Sequence, residues 1–289
     1  MGTTGGEICL FSIANQIYRA TMPISSNGLL SMALCGDYLF VGSGDGKLKK
    51  LGIADGKWNL THEAQLDSKI MSLTVSNDKK ELLAGTVGGK LYRVLEGDLS
   101  YLLHTDAHTG SINDIHFSPK RSDQFLSIDE NGAVKIWDLS EYKAVFTGTT
   151  GKMNSGSSCC IALDDDSIVT GWRDGFIRCF NPQGGIVWEM ANAHRGSVTS
   201  VYVDANYILS GGQDGAVRVW ARSNRKLLIQ FNGKYPFFSN LNSSLKIDQK
   251  KDIVSLIPDL NQPHLIHSCS MDRTISTYDL KQEKRMNGH

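Results

Sequence analysis

Phosphate chemistry is the first that this sequence invites. Residues 41–50 read VGSGDGKLKK, three glycines followed by three lysines, and backbone N–H groups of a glycine loop with a lysine nearby make a cradle for anions. A phosphate-binding loop of the G-x-x-x-x-G-K-[ST] type also has to lead into a helix. Here Val41 stands five positions before Gly46, and Leu48 follows Lys47, so the pattern fails twice. Gly89-Lys90, Gly151-Lys152 and Gly233-Lys234 fail as well, and G-x-G-x-x-G is unsupported because the glycines lead into strands. Metal chemistry fares no better. His264 and His267 in PHLIH are three apart, which on a strand puts them on opposite faces, and no paired cysteines accompany them. The acidic run Asp164 to Asp166 lacks the glycine and distal glutamate of a calcium loop. For hydrolysis, neither G-x-S-x-G nor a Cys–His signature occurs: Ser155 has Asn154 before it and Gly156 after it, with no glycine two positions earlier. Carboxylate pairs for glycoside cleavage would have to be assembled from distant segments, and nothing points to them. The expectation is a chain without catalytic residues, metal or cofactor.

Composition sets the wider limits. Thirty basic and thirty acidic residues in 289 leave no net charge, so there is no global field to draw in nucleic acid or an anionic membrane. With 40% hydrophobic residues the chain can bury a large core. Its longest apolar runs are a few residues, far short of the roughly 20 of a membrane span, and MGTTGGEICLF is not a signal peptide. The six cysteines (Cys9, Cys35, Cys159, Cys160, Cys179, Cys269) form no C-x-x-C pair and read as small buried hydrophobes of a reduced cytosolic protein. The expected protein is cytoplasmic, with no nucleic acid, membrane or small-molecule substrate as partner.

The elements that carry these loops repeat. TTGGEICLFSI (3–13), GSGDGKLKKLGI (42–53), GTVGGKLYRVL (85–95), IDENGAVKIWDL (128–139), GWRDGFIRCFNP (171–182), GGQDGAVRVWAR (211–222) and CSMDRTISTYDL (269–280) are one design. Each is a Gly-Gly, Asp-Gly or Asn-Gly turn between segments alternating apolar and polar, with Asp272-Arg273 in the last. Such dipeptides accept the positive φ angles of a two-residue hairpin, and alternation at period two marks strands. The second turn residue falls at 6, 46, 89, 132, 175, 215 and 273, giving spacings of 40, 43, 43, 43, 40 and 58. A repeat of about 40 to 45 residues carrying four strands is the signature of propeller blades. The opening stretch is thus a hairpin tip whose glycines serve the turn and whose lysines face solvent.

At these residues the chain resembles the WD-repeat family over nearly its whole length: Trp137-Asp138-Leu139, Tyr278-Asp279-Leu280, Trp220, and the histidines of DAHTGSI (His108) and NAHRGSV (His194). The resemblance implies an all-β WD-repeat propeller of four-stranded antiparallel blades, and the turn count gives seven of them, six full repeats plus a partial one. Residues 1–27 would be the partial blade, and 28–66, 67–108, 109–151, 152–194, 195–234 and 235–289 the others. It also implies hydrogen-bonded sets of a histidine, a hydroxyl, a turn Asp and a Trp. His194, Ser210, Asp214 and Trp220 match all four positions; His108, Ser127, Asn131 and Trp137 match with Asn for Asp; Thr170, Asp174 and Phe180 keep two of four. The first hairpin begins at a turn and the sequence stops at Asn287-Gly288-His289, so we expect a piece of a longer, tandem-propeller protein.

For partners, the excess in the 58-residue spacing lies in 233–252, where Tyr235, Phe237 and Phe238 form the most aromatic run in the chain. Exposed there they would bind a partner; folded back they would cover the rim. Trp172 and Arg173 at a hairpin tip are the second candidates, with packing of Trp172 as the structural alternative. Residues 171–220, from Trp172-Arg173-Asp174-Gly175 through IRCFNPQGG to AHRGSVT, resemble the cilia- and flagella-associated tandem-propeller WD-repeat proteins of axonemal microtubules. They are more loosely similar to the echinoderm microtubule-associated-protein-like and centriolar WD-repeat proteins. That resemblance implies a non-catalytic scaffold of the cytoskeleton, in the axoneme of a cilium or flagellum or in a basal body, with tubulin and other microtubule-associated proteins as partners. The alternatives are a general cytoplasmic WD-repeat adaptor in a multiprotein complex, or an enzyme with its site at the central channel.

Overall fold

The computed structural model describes residues 1–12, 17–54, 57–104, 107–118, 123–141, 143–149, 156–162, 167–232, 252–259, 262, 264–271 and 275–281. The insertion at 233–252, apart from Asp252, and the turn at Asp272-Arg273 lie outside them, as do the side chains of Cys159 and Cys160. The chain divides into two compact units, one of Met1–Ile168 with Phe180–Gly185 and one of Val169–Cys179 with Ile186–His289.

In the first unit β1 (Glu7–Ser12) and β2 (Ile17–Pro23) pair as a hairpin. Three antiparallel sheets follow: β3 (Leu29–Cys35), β4 (Tyr38–Ser43), β5 (Lys47–Ala54) and β6 (Lys57–Gln65); β7 (Ile70–Val75), β8 (Glu81–Thr86), β9 (Leu91–Leu95) and β10 (Tyr101–His104); β11 (Ile112–Phe117), β12 (Gln124–Asp129), β13 (Ala133–Asp138) and β14 (Lys143–Thr149). The fourth sheet runs in the order β15 (Ser157–Ala162), β16 (Ile168–Trp172), β17 (Ile177–Phe180), β18 (Ile186–Met190). The second unit adds β19 (Val198–Val203), β20 (Tyr207–Gly212), β21 (Ala216–Ala221) and β22 (Leu227–Asn232), then a three-stranded sheet of β23 (Ile253–Pro258), β24 (Leu265–Ser270) and β25 (Ile275–Asp279). Among the described residues there are therefore six blades, not the seven expected from the turn count. Residues 1–27 supply two strands that bond to each other, a hairpin rather than a blade, and the last blade shows three strands.

The repeated turn differs in type from the expected one. Gly46 N–H bonds Ser43 O, Gly132 N–H bonds Asp129 O and Gly215 N–H bonds Gly212 O, so the glycine is the fourth residue of each turn. It alone takes the left-handed region, with φ +81°, +87° and +70°, while Asp45, Asn131 and Asp214 do not. This is a type I turn closed by a glycine bulge rather than a two-residue primed turn. The acidic side chain is used instead to cap the turn: Asp45 Oδ1 accepts Lys47 N–H at 3.2 Å and Asp214 Oδ1 accepts Ala216 N–H at 3.1 Å.

Burial explains the near-continuous apolar character of each second strand. Phe40 enters a core with Leu48, Ile70 and Leu82, whereas its neighbour Val41 enters another with Ile8, Leu29 and Leu51. Leu82 and Leu83 divide in the same way between two cores. Successive residues on a strand point to opposite faces, so a strand whose successive residues enter different cores is covered on both sides. Consecutive blades are also joined by hydroxyl bonds that the sequence did not announce: Ser31 Oγ donates to Ile70 O at 3.1 Å, Ser72 Oγ to Ile112 O at 3.1 Å and, in the second unit, Thr199 Oγ1 to Ile253 O. The lysines of the opening stretch are not all solvent-facing either. The Lys49 side chain is only 12% exposed, and Lys50 is buried, its ammonium 2.8 Å from Glu96 and 4.1 Å above the Tyr38 ring.

Candidate functional site

The polar groups that the blades bury are the natural place to look for chemistry. His194, in the loop before β19, reaches two neighbours at once: Nδ1 lies 2.8 Å from Asp214 Oδ1 and Nε2 lies 2.8 Å from Ser210 Oγ. Trp220 Nε1–H donates to the same Ser210 oxygen at 3.0 Å, and Arg218 Nη1 donates to Asp214 Oδ2 at 2.8 Å. The indole donates to Ser210, whose own hydroxyl is free to donate to Nε2, while Nδ1 sits between Asp214 Oδ1 and Arg218 Nη1, the latter 2.6 Å away. The structure thus brings together His194, Ser210, Asp214 and Trp220. Gly212 makes room for the ring, since a Cβ there would come within 2.2 Å of His194 Nδ1.

The His108 set is built differently from the expectation. His108 Nε2 lies 2.6 Å from Ser127 Oγ, which accepts Trp137 Nε1–H at 2.7 Å. The carboxylate on Nδ1, at 3.1 Å, belongs to Asp129 and not to Asn131. Asn131 instead donates its side-chain amide to Thr109 Oγ1 at 3.3 Å and its backbone N–H to Asp129 Oδ1 at 3.0 Å. Asp129 stands three residues before the turn glycine, the place held by Gly212 in the other set. An acid at the first turn residue, Asp129, or at the third, Asp214, thus reaches the Nδ1 of its histidine.

In the fourth sheet the same place is held by Trp172. Its indole N–H donates to Thr170 Oγ1 at 2.7 Å, and the Arg178 guanidinium sits 5.0 Å from its ring while bonding Asp174 at 2.8 Å. Trp172 is 0% exposed, which corrects its candidacy as a partner contact: a side chain with no accessible surface has none to offer. Thr170 and Asp174 are engaged as described, and Phe180 is buried without taking the indole's role. Arg173 is exposed. Tyr235, Phe237 and Phe238 lie outside the described residues. His267 is buried and held between Thr277 Oγ1 at 2.9 Å and Asp259 Oδ2 at 3.1 Å.

A cleft of about 390 Å³ lies against the opening stretch, lined by residues 23–26, Asp45, Lys47 and Lys49. Glu63 pairs with Lys47 at 2.7 Å and with Lys49 at 3.4 Å, and Asp45 stands on the same wall. Both cations thus share one carboxylate, Glu63.

The networks make a pH prediction. Burial works to raise the Asp214 pKa, but bonds from His194, Arg218 and Arg195 N–H outweigh it and hold the carboxyl well below the usual range. Asp129 is lowered in the same way, against burial, by His108 and the N–H groups of Ala133 and Asn131. Burial pushes His108 down, against the pull of Asp129. All three groups bind protons more readily in the unfolded chain, so their stabilisation is present at high pH and lost on acidification. The urea midpoint is expected to fall as the pH drops below the unfolded aspartate value of 3.8. Near 6.5 the loss at His108 is opposed by His116, where burial works to lower the pKa but Asp114 outweighs it and raises it. A midpoint that held steady as the pH dropped below 3.8 would contradict the prediction.

Comparison with known proteins bears on two segments of this chain. Residues 100–138 and 187–221 match the family described as WD domain, G-beta repeat, and these segments contain Trp137 and Trp220 with most of their partners. The chain carries WD repeats. Its fold class is the all-β WD-repeat propeller with four-stranded antiparallel blades. The WD-repeat chain is 29% identical over 227 residues to cilia- and flagella-associated protein 52 of Bos taurus, covering 76% of this chain and 36% of that protein. It is 29% identical over 211 residues to the protein of that name from Chlamydomonas reinhardtii, covering 69% and 33%. WD repeat-containing protein 90 of Homo sapiens is 23% identical over 238 residues, covering 75% of this chain and 13% of its own length. The chain thus spans about a third of the length of the first of these relatives.

Proposed function

We propose that this WD-repeat chain is a non-catalytic protein-interaction scaffold, a structural component of cilia or flagella that works on axonemal or basal-body microtubules. The observation that carries the reading is the likeness, over 69% to 76% of the chain, to proteins named as cilia- and flagella-associated in both a mammal and a green alga. The buried networks agree with it. Their acids, hydroxyls and histidines are turned on one another, so they hold blades rigid and leave recognition to surfaces and loops. Tubulin and neighbouring microtubule proteins are the proposed partners, met by Arg173 and by the aromatic loop with Tyr235, Phe237 and Phe238. The test is the position of the tagged protein in a ciliated cell. Signal along the axoneme or at the basal body that survives detergent extraction is expected, and deletion of 233–252 should weaken it. A diffuse cytosolic signal would favour the general adaptor instead.

A further inference from the structure

The outermost strand of a blade presents a row of unpaired backbone groups, and soluble proteins guard such edges with bulges or charge. Among the described residues, the outer strands of the four-stranded blades and of the first hairpin do so, with the exception of β10. β2 carries Arg19 and a register shift against Leu10/Phe11. β6 begins at Lys57 and is shifted at Lys50/Leu51. β14 begins at Lys143 and is shifted at Ile136/Trp137. In the second unit β22 is shifted at Val219/Trp220, and β18 carries the half-exposed Glu189.

β10 has neither guard. Its register against β9 is unbroken from Tyr101↔Val94 to His104↔Leu91, and Leu99 to Leu103 contain no charged residue. Tyr101, Leu102 and Leu103 are exposed by 43%, 69% and 47%. The strand is held straight from behind: Tyr101 Oη donates to Gln65 O at 2.8 Å and its ring meets Tyr92 edge-on at 5.6 Å. Arg93, opposite Leu102 on β9, is turned to Glu81.

The backbone pattern says what such an edge accepts. Leu95 N–H bonds Ser100 O, and antiparallel bonding alternates along the strand. Leu102 and His104 therefore face β9, whereas the N–H and C=O groups of Tyr101 and Leu103 face outward. We propose that β10 is a self-complementary edge through which two copies of this chain associate. Related by a two-fold axis at Leu102, Tyr101 of each copy lies opposite Leu103 of the other. The outward groups of both residues are then all used, in four hydrogen bonds. Leu102 meets Leu102 on one face and Tyr101 lies beside Leu103 on the other, with no charge brought against its like.

Four residues per copy bury much less than the roughly 1,200 to 2,000 Å² of a stable interface, so the association is weak and concentration-dependent. Sedimentation equilibrium of the whole chain from about 10 µM to about 1 mM reads it. The weight-average mass is expected to climb from 31.7 kDa toward twice that value. Leu102→Lys, which sets two ammonium groups opposite each other, should weaken association at least about ten-fold. Leu103→Pro removes an outward N–H without touching a bond to β9 and should do the same. Circular dichroism identifies any variant that fails to fold, in which case the other decides. A constant mass across the range overturns the proposal, as does association of folded Leu102→Lys equal to the parent's.

Discussion

Asp129→Ala should cost about 3 kcal/mol of unfolding free energy, while Asn131→Ala, two residues on, costs about 0.5 kcal/mol or less. The contrast follows from what each side chain touches. Asp129 accepts His108 Nδ1–H and the backbone N–H groups of Asn131 and Ala133, and both side chains of the His108 pair are essentially inaccessible. Removing the carboxylate strands a buried imidazole N–H and two turn amides that water cannot reach without opening the blade. Asn131 makes one exposed side-chain bond, to Thr109. Urea unfolding of the two variants measures the difference, and a double-mutant cycle of Asp129→Ala with His108→Ala should return a coupling of at least about 1 kcal/mol. Equal losses at 129 and 131 would restore the turn asparagine as the histidine's partner.

Trp172→Ala is the second large effect, a loss of about 3 to 5 kcal/mol, the usual range for emptying a buried aromatic site. Besides the void, the change leaves the Arg178 guanidinium without the ring it lies against, although Asp174 and Phe176 still hold it. Trp172→Phe keeps most of the volume and loses the bond to Thr170 Oγ1, so it should cost only about 1 to 2 kcal/mol. Arg173→Ala, on the exposed neighbour, should stay within about 0.5 kcal/mol. A Trp172→Ala protein as stable as the parent would return this residue to the surface where the sequence had suggested it.

Much of the fold is written in the turn glycines, because a position that requires positive φ favours glycine. Gly6, Gly46, Gly89, Gly132, Gly175 and Gly215 all take that conformation. What the marks do not tell is how many strands accompany each turn, and the count of seven blades failed there, on residues 1–27. The histidine set of the second unit was readable because every member sits at its usual distance from the turn. The acid at 129 was not, since it reaches the histidine from the first residue of the turn and not from the third, where Asp214 stands. Solvent exposure of the lysines was misjudged because alternation places a side chain on a face without saying whether another sheet covers it. Thus Lys49 and Lys50 are covered, while Lys47 keeps 38% of its side chain exposed.

The site three residues before each turn glycine holds Ser43, Thr86, Asp129, Trp172 and Gly212 in successive blades. Where a histidine is present, that choice is matched to it some twenty residues upstream, so the blades have ceased to be interchangeable parts. A hairpin moved from one to another would bring Trp172 or Asp129 against the His194 ring, which tolerates only Gly212. Duplication or grafting can therefore succeed only with the contiguous stretch from loop histidine to third-strand tryptophan, 108–137 or 194–220, which makes that stretch, and not the single sheet, the smallest transferable piece of this chain.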